Sequence, residues 1–300
     1  MLSKEIIRIA PEVAAAVTAH KPMVALESTV IAHGLPKPTN LETAFHLEAI
    51  VRQYDVLPAT AAVINGQLCI GLNDAELQLL AEDSDVKKIS TRDLPIAVAN
   101  RWNGATTVAS TCWIAHRAGI NVFATGGIGG VHRGPLPDIS ADLPELARTP
   151  IIVVCSGAKI VLDLPATREW LETHGVSVVG YQCDEMPAFY SRRSALPIDA
   201  RADSPADVAR LFQMQRTLGL NNALLVTVPV PSEFEVPSEQ LQAVLDRALT
   251  EAKKGHVGGR ELTPFLLSYM ARHSGGATLR ANIALLENNV RVAAEIARSL

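Results

Sequence analysis

The sequence has no two cysteines close enough to suggest a bridge or a metal knuckle. Cys69, Cys112, Cys155 and Cys183 lie far apart, and no C-x-x-C occurs. They read as buried, reduced thiols of a cytoplasmic protein, which sets aside a disulfide scaffold and a structural zinc site. No uninterrupted apolar run approaches the roughly 18 residues of a spanning helix, so no membrane association is expected. The stretch from Met1 to Arg8 carries charges where a signal peptide needs an apolar core. No run of like charge marks a tail. A net charge of -4 argues against nucleic acid and anionic membrane surfaces, which both favour basic patches. No repeat period appears and no Pro/Ser-rich linker divides the chain, so residues 1–300 are expected to form one catalytic domain.

What remains is a chain 48% hydrophobic and 19% charged, the composition of an ordinary enzyme with a sizeable core. Apolar strand runs alternate with helical periodicities. A helix is expected over 3–19 and a strand over Met23–Ala32, with Glu27 among apolar neighbours. A helix follows from Thr39 or Asn40 to about Tyr54. Asn65-Gly66 between two apolar runs predicts a hairpin, because that dipeptide fills a two-residue turn needing positive φ. Further helices are expected over 73–82, 93–102 and from Gly104 to Gly119. A strand then runs to Thr125, and another covers 151–155. Pro165 and Gly175 bracket the next helix, and Ser204-Pro205 and Gly219 bracket another. Strands lie over 176–181 and 223–228, and three helices close the chain over 238–254, 263–275 and 278–300. Several strands are apolar on both faces. The pattern is an α/β fold whose mixed sheet is covered by helices on both sides.

The residues that suggest chemistry cluster in the middle of the chain. Ile151 to Cys155 is an apolar strand that delivers Lys159 through a small Ser156-Gly157-Ala158 turn. Ligands of α/β sheets sit beyond the carboxyl ends of strands. Desolvation favours the neutral form of an amine, and a neutral amine can attack an aldehyde-level carbon to form a Schiff base. The plainer account is a surface lysine. Lys88 lies on a second strand, where alternation sends Lys87 and Lys88 to opposite faces. It could favour a neutral Lys159 or hold a phosphate, or be solvated. Glu27 inside an apolar run suits proton donation, or else a salt bridge. Asp138-x-Ser140-x-Asp142 offers oxygens at alternate positions, as a hard cation needs, although such residues are also common in loops. Gly126-Gly-Ile-Gly-Gly130 matches neither the P-loop nor the dinucleotide pattern, and serves either as an anion cradle or as a tight turn. His132 and Arg133 beside it could contact phosphate or base, or face solvent, and His33 is similarly ambiguous. Asn282 opens an apolar helical run, where capping is the bland account.

Taken together, these blocks resemble the pseudouridine-5′-phosphate glycosidase family, which includes the indigoidine-synthase-A-like proteins. The resemblance rests on Val24 to Pro36, Gly104 to Val108, Val122 to Gly134, Asp138 to Leu143, Val154 to Lys159, Asp184 to Tyr190, Thr263 to Leu267 and Asn282 to Leu285. It implies a three-layer α/β/α sandwich and reversible cleavage of pseudouridine 5′-phosphate to uracil and ribose 5-phosphate. By the same resemblance Lys159 is the nucleophile and Glu27 the proton donor. Asp138 holds a divalent ion, usually Mn²⁺, with Mg²⁺ or Fe²⁺ also acceptable. Lys88, Val108, Ser140, Ala141 and Asp142 bind substrate, His132 and Asn282 line the pocket, and the protein is a homotrimer.

The chain departs from the family pattern in three places. Ser156 replaces a usual alanine, Ile160-Val161 stands where Ser-Ile is common, and Leu225 to Pro231 replaces an Asn-Pro-Ile-Pro ending. The last departure leaves open a Schiff-base lyase acting on another sugar phosphate or C-nucleotide. A sugar-phosphate-binding paralogue without catalysis is the non-enzymatic reading. A sugar kinase is disfavoured because no Gly-Ala-Gly-Asp-like motif occurs.

Overall fold

The computed structural model describes residues 6–134, 138–257 and 262–300. Its strands are β1 (Ile7–Ile9), β2 (Met23–Leu26), β3 (Leu57–Ile64), β4 (Gln67–Ile70), β5 (Lys87–Ile89), β6 (Gly104–Thr106) and β7 (Val122–Ala124), then β8 (Val131–His132), β9 (Ile152–Cys155), β10 (Leu162–Asp163), β11 (Ser177–Tyr181), β12 (Ala200–Ala202) and β13 (Leu224–Thr227). Its helices are α1 (Pro11–Thr18), α2 (Thr39–Gln53), α3 (Asp74–Glu82), α4 (Leu94–Ala99), α5 (Val108–Arg117) and α6 (Asp142–Leu146), then α7 (Leu164–Thr173), α8 (Pro205–Thr217), α9 (Ser238–Lys254), α10 (Leu262–His273) and α11 (Ala277–Arg298).

β3, β2, β7, β9, β13, β11 and β12 lie side by side in that order, all parallel. The antiparallel part enters through the expected hairpin. β4 runs back along β3 and carries β1 in parallel, while β6 pairs against the far half of β3 and carries β5. Asn65 and Gly66 at the hairpin turn have φ of 48° and 77°, as a two-residue turn of that twist requires. Helix α11 runs along β2, β7 and β9 beside α2 and α8, and α5 covers β2, β3 and β7 from the other side. That double cover explains strands such as Val122–Ala124 and Ile152–Cys155, buried at every position. The fold is therefore an α/β sandwich on a mixed sheet.

Several boundaries differ from expectation for identifiable reasons. Residues 7–9 are strand, not helix: Ile7 and Ile9 pair with Leu68 and Ile70, and Pro11 holds Ala10 extended at ψ 144°. The strand from Met23 stops at Leu26, and Val30–Gly34 coil into a π-helical turn. Gly104–Thr106 does not open a helix. It is an inner strand between β3 and β5, and α5 begins only at Val108. The expected helix over 93–102 is shorter: a 3₁₀ turn at Thr91–Asp93 leads into α4, which ends at Ala99. The strand β12 and the small β8–β10 sheet were not anticipated.

Candidate active site

β2 continues through α2 to β3 on one side, while β7 lies on its other side. Open α/β sheets form a crevice at such a switch point. Leu26 of β2 pairs with Ala124 of β7, so Glu27 and Thr125 are the next residue on each strand. The Thr125 hydroxyl donates to Glu27 Oε1. The chain turns away just after Glu27 because its hydroxyls are tethered. Ser28 Oγ donates to Ala61 O at 2.7 Å and accepts from Thr106 N at 2.9 Å, and Thr29 Oγ1 donates to Thr106 O at 2.7 Å. Glu27 is 9% exposed. Burial pushes its carboxyl above the ordinary value of 4.5, and Asp142 adds to this, while Lys159, the Thr125 hydroxyl and Lys88 pull the other way. Burial thus favours the protonated form of this carboxyl, which suits it to proton donation.

Lys159 reaches the same crevice from β9. Its approach needs Gly157, whose φ is 82° and where a Cβ would meet Pro187 O at 2.1 Å. The Lys159 amide donates to Ile128 O at 3.1 Å, and Nζ donates to Gly127 O. The half-buried Lys159 side chain thus lies against the glycine loop, near enough to Glu27 to act on it electrostatically.

The glycines of that loop serve close packing more than an anion cradle. The Ile128 amide donates to Gly157 O, Gly129 to Asp142 Oδ2 and Val131 to Thr167 Oγ1. A Cβ at Gly129 would lie 2.2 Å from Ser140 Oγ and 2.7 Å from Asp142 Oδ2. Asp142 is 6% exposed and acts as a two-sided tether. Its Oδ2 accepts from Gly129 N at 2.8 Å and its Oδ1 from Ala109 N at 2.9 Å, in the first turn of α5. A carboxylate at a helix N-terminus is favoured by the dipole and by the unpaired amides there.

These elements enclose a cleft of about 350 Å³. Ten of the residues singled out in the sequence line it: Glu27, Lys88, Val108, His132, Asp138, Ser140, Ala141, Asp142, Lys159 and Asn282. Val108 is the first residue of α5, so that helix end faces the cleft. Asn282 is no cap; it lies within α11, 7% exposed. Burial lowers the His132 imidazole below its ordinary 6.5, opposed by Asp138 and assisted by Lys88 and Lys159. His33 also lines the cleft, whereas the Arg133 Nε donates to Leu162 O at 3.1 Å. Thr29, Ser90, Arg92, Thr107 and Phe189, with Thr263, Pro264 and Leu267 of α10, also line it and were not singled out as site residues. No signal marks Arg92, whereas Thr107, Phe189 and Thr263 fall in family blocks. The altered stretch from Leu225 to Pro231 contributes nothing to the lining among the described residues. It is held in the core instead, with Val228 N donating to Cys155 O and Arg192 to Val230 O.

Among the described residues no three His, Cys, Asp or Glu side chains converge as a metal cage. Asp138 is exposed at the cleft rim, and the amide of His132 donates to its carbonyl at 2.8 Å. Each carboxylate oxygen of Asp142 already accepts a backbone N–H, whereas the exposed Asp138 carboxylate accepts no hydrogen bond among the described residues and is the more open acceptor. One carboxylate and a polar, open surround fit a hard divalent ion that keeps several waters.

The family model described as indigoidine synthase A like protein matches residues 12–299. The chain is 52% identical to the pseudouridine-5′-phosphate glycosidase of Geobacillus kaustophilus, covering 96% of this chain and 97% of that one. It is 49% identical to the Escherichia coli protein of the same name, covering 99% and 96%. Among solved structures it resembles an indigoidine synthase A-like protein of Thermotoga maritima, with a TM-score of 0.89 and 37% identity over 98% of this chain and 96% of that one. It also resembles the prealnumycin C-glycosynthase AlnA in complex with ribulose 5-phosphate, with a TM-score of 0.90 and 37% identity over 98% and 97%.

Proposed function

The chain belongs to the indigoidine synthase A like family, and on that premise we propose that it is a pseudouridine-5′-phosphate glycosidase, splitting its substrate reversibly into uracil and ribose 5-phosphate. The observation that carries this reading is the convergence of Glu27 and Lys159 on one cleft, from β2 and β9, with Lys88 beside them. A C-glycoside gives an acid pair nothing but a carbon leaving group, so the two-carboxylate route of ordinary glycosidases does not serve it. An amine beside a buried acid does. The Lys159 amine bonds to C1′ and displaces the ring oxygen, which takes its proton from Glu27. The ammonium formed at C1′ returns a proton to the Glu27 carboxylate, which frees the nitrogen lone pair, and C5 of the uracil then accepts a proton from water. The C1′–C5 bond breaks, its electrons restore the pyrimidine ring, and the nitrogen lone pair forms the C1′=N imine. Water hydrolyses the imine to ribose 5-phosphate and the free amine.

The same reading gives the remaining lining residues their tasks. The sugar phosphate lies against Lys88 and the α5 N-terminus at Val108, with Ser140 and Ala141 beside it; Asp142 holds that corner in place. His132 and Asn282 flank the sugar and base. Asp138 would hold Mn²⁺ largely through water, where the ion adds positive charge beside the phosphate or base. The absence of residues 225–231 from the described lining favours this substrate over another C-nucleotide. We place the enzyme in the cytoplasm, where the free thiols of Cys69, Cys112, Cys155 and Cys183 would stay reduced. Exposed Met214, Leu218 and Leu220, 50–73% accessible, suit burial against a second and third copy in a homotrimer.

The test is direct. Protein, Mn²⁺, uracil and ribose 5-phosphate are incubated and the C-nucleotide is sought by mass and ultraviolet absorbance. Borohydride with ribose 5-phosphate should reduce an adduct onto Lys159, and Lys159→Ala should abolish it while leaving the fold. A folded wild type that makes neither product nor adduct refutes the proposal.

A further inference from the structure

Asn289 lies on α11, one of the few polar side chains on its buried face, and is 0% exposed. Its neighbours Leu285, Leu286, Val290, Val292 and Ala293 are apolar and buried. A buried amide is tolerated only where its bonds are made. Here Nδ2 donates to Thr125 O at 2.8 Å, to Gly126 O at 3.4 Å and to Ser156 Oγ at 3.2 Å. Ser156 Oγ in turn lies 3.3 Å from Oδ1 as a donor. The two carbonyls can only accept, which fixes which end of the amide faces them.

The bonded groups belong to the two turns that follow β7 and β9. Thr125 is the residue whose hydroxyl holds Glu27, and Gly126 is followed by Gly127, whose carbonyl accepts from Lys159 Nζ. Ser156 begins the turn that ends at Lys159, and its own amide donates to Gly126 O at 2.9 Å. One side chain therefore ties the support of the acid to the approach of the amine. We propose that Asn289 is a positioning residue that sets the placement of Glu27 relative to Lys159, with Ser156 as its partner. The inference rests on the reading of those two residues as acid and nucleophile.

The test compares full-length wild type with Asn289→Ala, Ser156→Ala and Ile296→Ala. Ile296 lies farther along the same helix, is 0% exposed and does not line the cleft. Each protein is measured for kcat, KM, the rate of borohydride-trapped adduct at Lys159, and Tm. For Asn289→Ala, kcat and the adduct rate should fall together by about 30- to 100-fold with KM changed less than about threefold, because small misplacements of reacting groups cost rate more than binding. Ser156→Ala should show the same split at roughly three- to tenfold, and it decides the matter if Asn289→Ala does not fold. Ile296→Ala should lower Tm while keeping kcat. Wild-type kcat and adduct rate in the Ser156 and Asn289 variants would overturn the proposal, as would losses no larger than those of Ile296→Ala. A wild type that gives neither product nor adduct overturns the reading beneath it, and the proposal with it.

Discussion

The Thr125 hydroxyl donates to Glu27 Oε1, so the residue after one central strand holds the acid at the end of its neighbour. This bond favours the ionised carboxyl and opposes the burial that favours the protonated one. Thr125→Val keeps the shape and removes the donor. Glu27 should then hold its proton to higher pH, and the alkaline limb of kcat that reports its ionisation should move upward. The maximum rate should fall about tenfold as the carboxyl loses its fixed orientation. A pH–rate profile of both proteins measures the two effects, and an unmoved alkaline limb counts against Glu27 as the acid.

The same burial makes Glu27 a pH-dependent liability for stability. Its folded value is raised above the ordinary 4.5, so the native state binds the proton more tightly than the unfolded chain. Stability from this group is complete below 4.5 and is lost as pH rises through the folded value. Glu27→Gln cannot titrate. It should therefore gain stability relative to wild type as pH climbs above about 4.5, while losing activity. Denaturant melts at a series of pH values give the difference, and a gap that stays constant with pH contradicts a raised value for the buried carboxyl.

Much of this site was legible, some of its ten residues from local conflicts and others, such as Val108 and Ala141, only from the family resemblance. Glu27 in an apolar strand, a lysine after a buried one and oxygen ligands at alternate positions all depart from what packing alone requires. All ten of those residues reached one cleft. What the sequence hid was set by tertiary partners. Asp142 looked like a ligand, but its oxygens are taken by amides 13 and 33 residues away. Asn282 looked like a cap because an asparagine before an apolar run is common, yet α11 begins five residues earlier at Ala277. Ile7 and Ile9 fit a helical period as well as a strand, and only their pairing with β4 decides between them. Asn289 carried no local signal: only the fold brings it to Thr125 and Ser156.

The tether at Asp142 predicts a combined loss of stability and binding. Asn in its place retains one acceptor but turns an amino group toward the other backbone N–H. One buried amide is left unpaired, at a cost of about 2 kcal/mol. The α5 N-terminus and the glycine loop are no longer held together, so the corner proposed to bind the phosphate should loosen. Asp142→Asn should lower Tm and raise KM for ribose 5-phosphate about tenfold, with a smaller effect on kcat. Steady-state kinetics and urea unfolding check both, and an unchanged KM with lowered stability would make Asp142 structural only.

Asp138 should behave in the opposite way. It is exposed at the cleft rim, and its side chain has no hydrogen bond or ion pair among the described residues, so its removal breaks no packing. Surface changes of that kind alter stability by no more than about 0.5 kcal/mol. As the candidate single carboxylate for a water-rich ion, however, it has no substitute, because Asp142 is committed to Ala109 and Gly129. Asp138→Ala should therefore keep its Tm and lose more than about 100-fold in Mn²⁺ affinity, since even an outer partner of a metal ligand commonly costs 10–100-fold. Titration of Mn²⁺ followed by electron paramagnetic resonance reads the affinity without reference to turnover. Chelation of wild type should reproduce the activity loss of the variant, and added Mn²⁺ should restore the wild type at concentrations that leave the variant inactive. If the variant binds Mn²⁺ as wild type does, the ion sits elsewhere and Asp138 is only a rim residue.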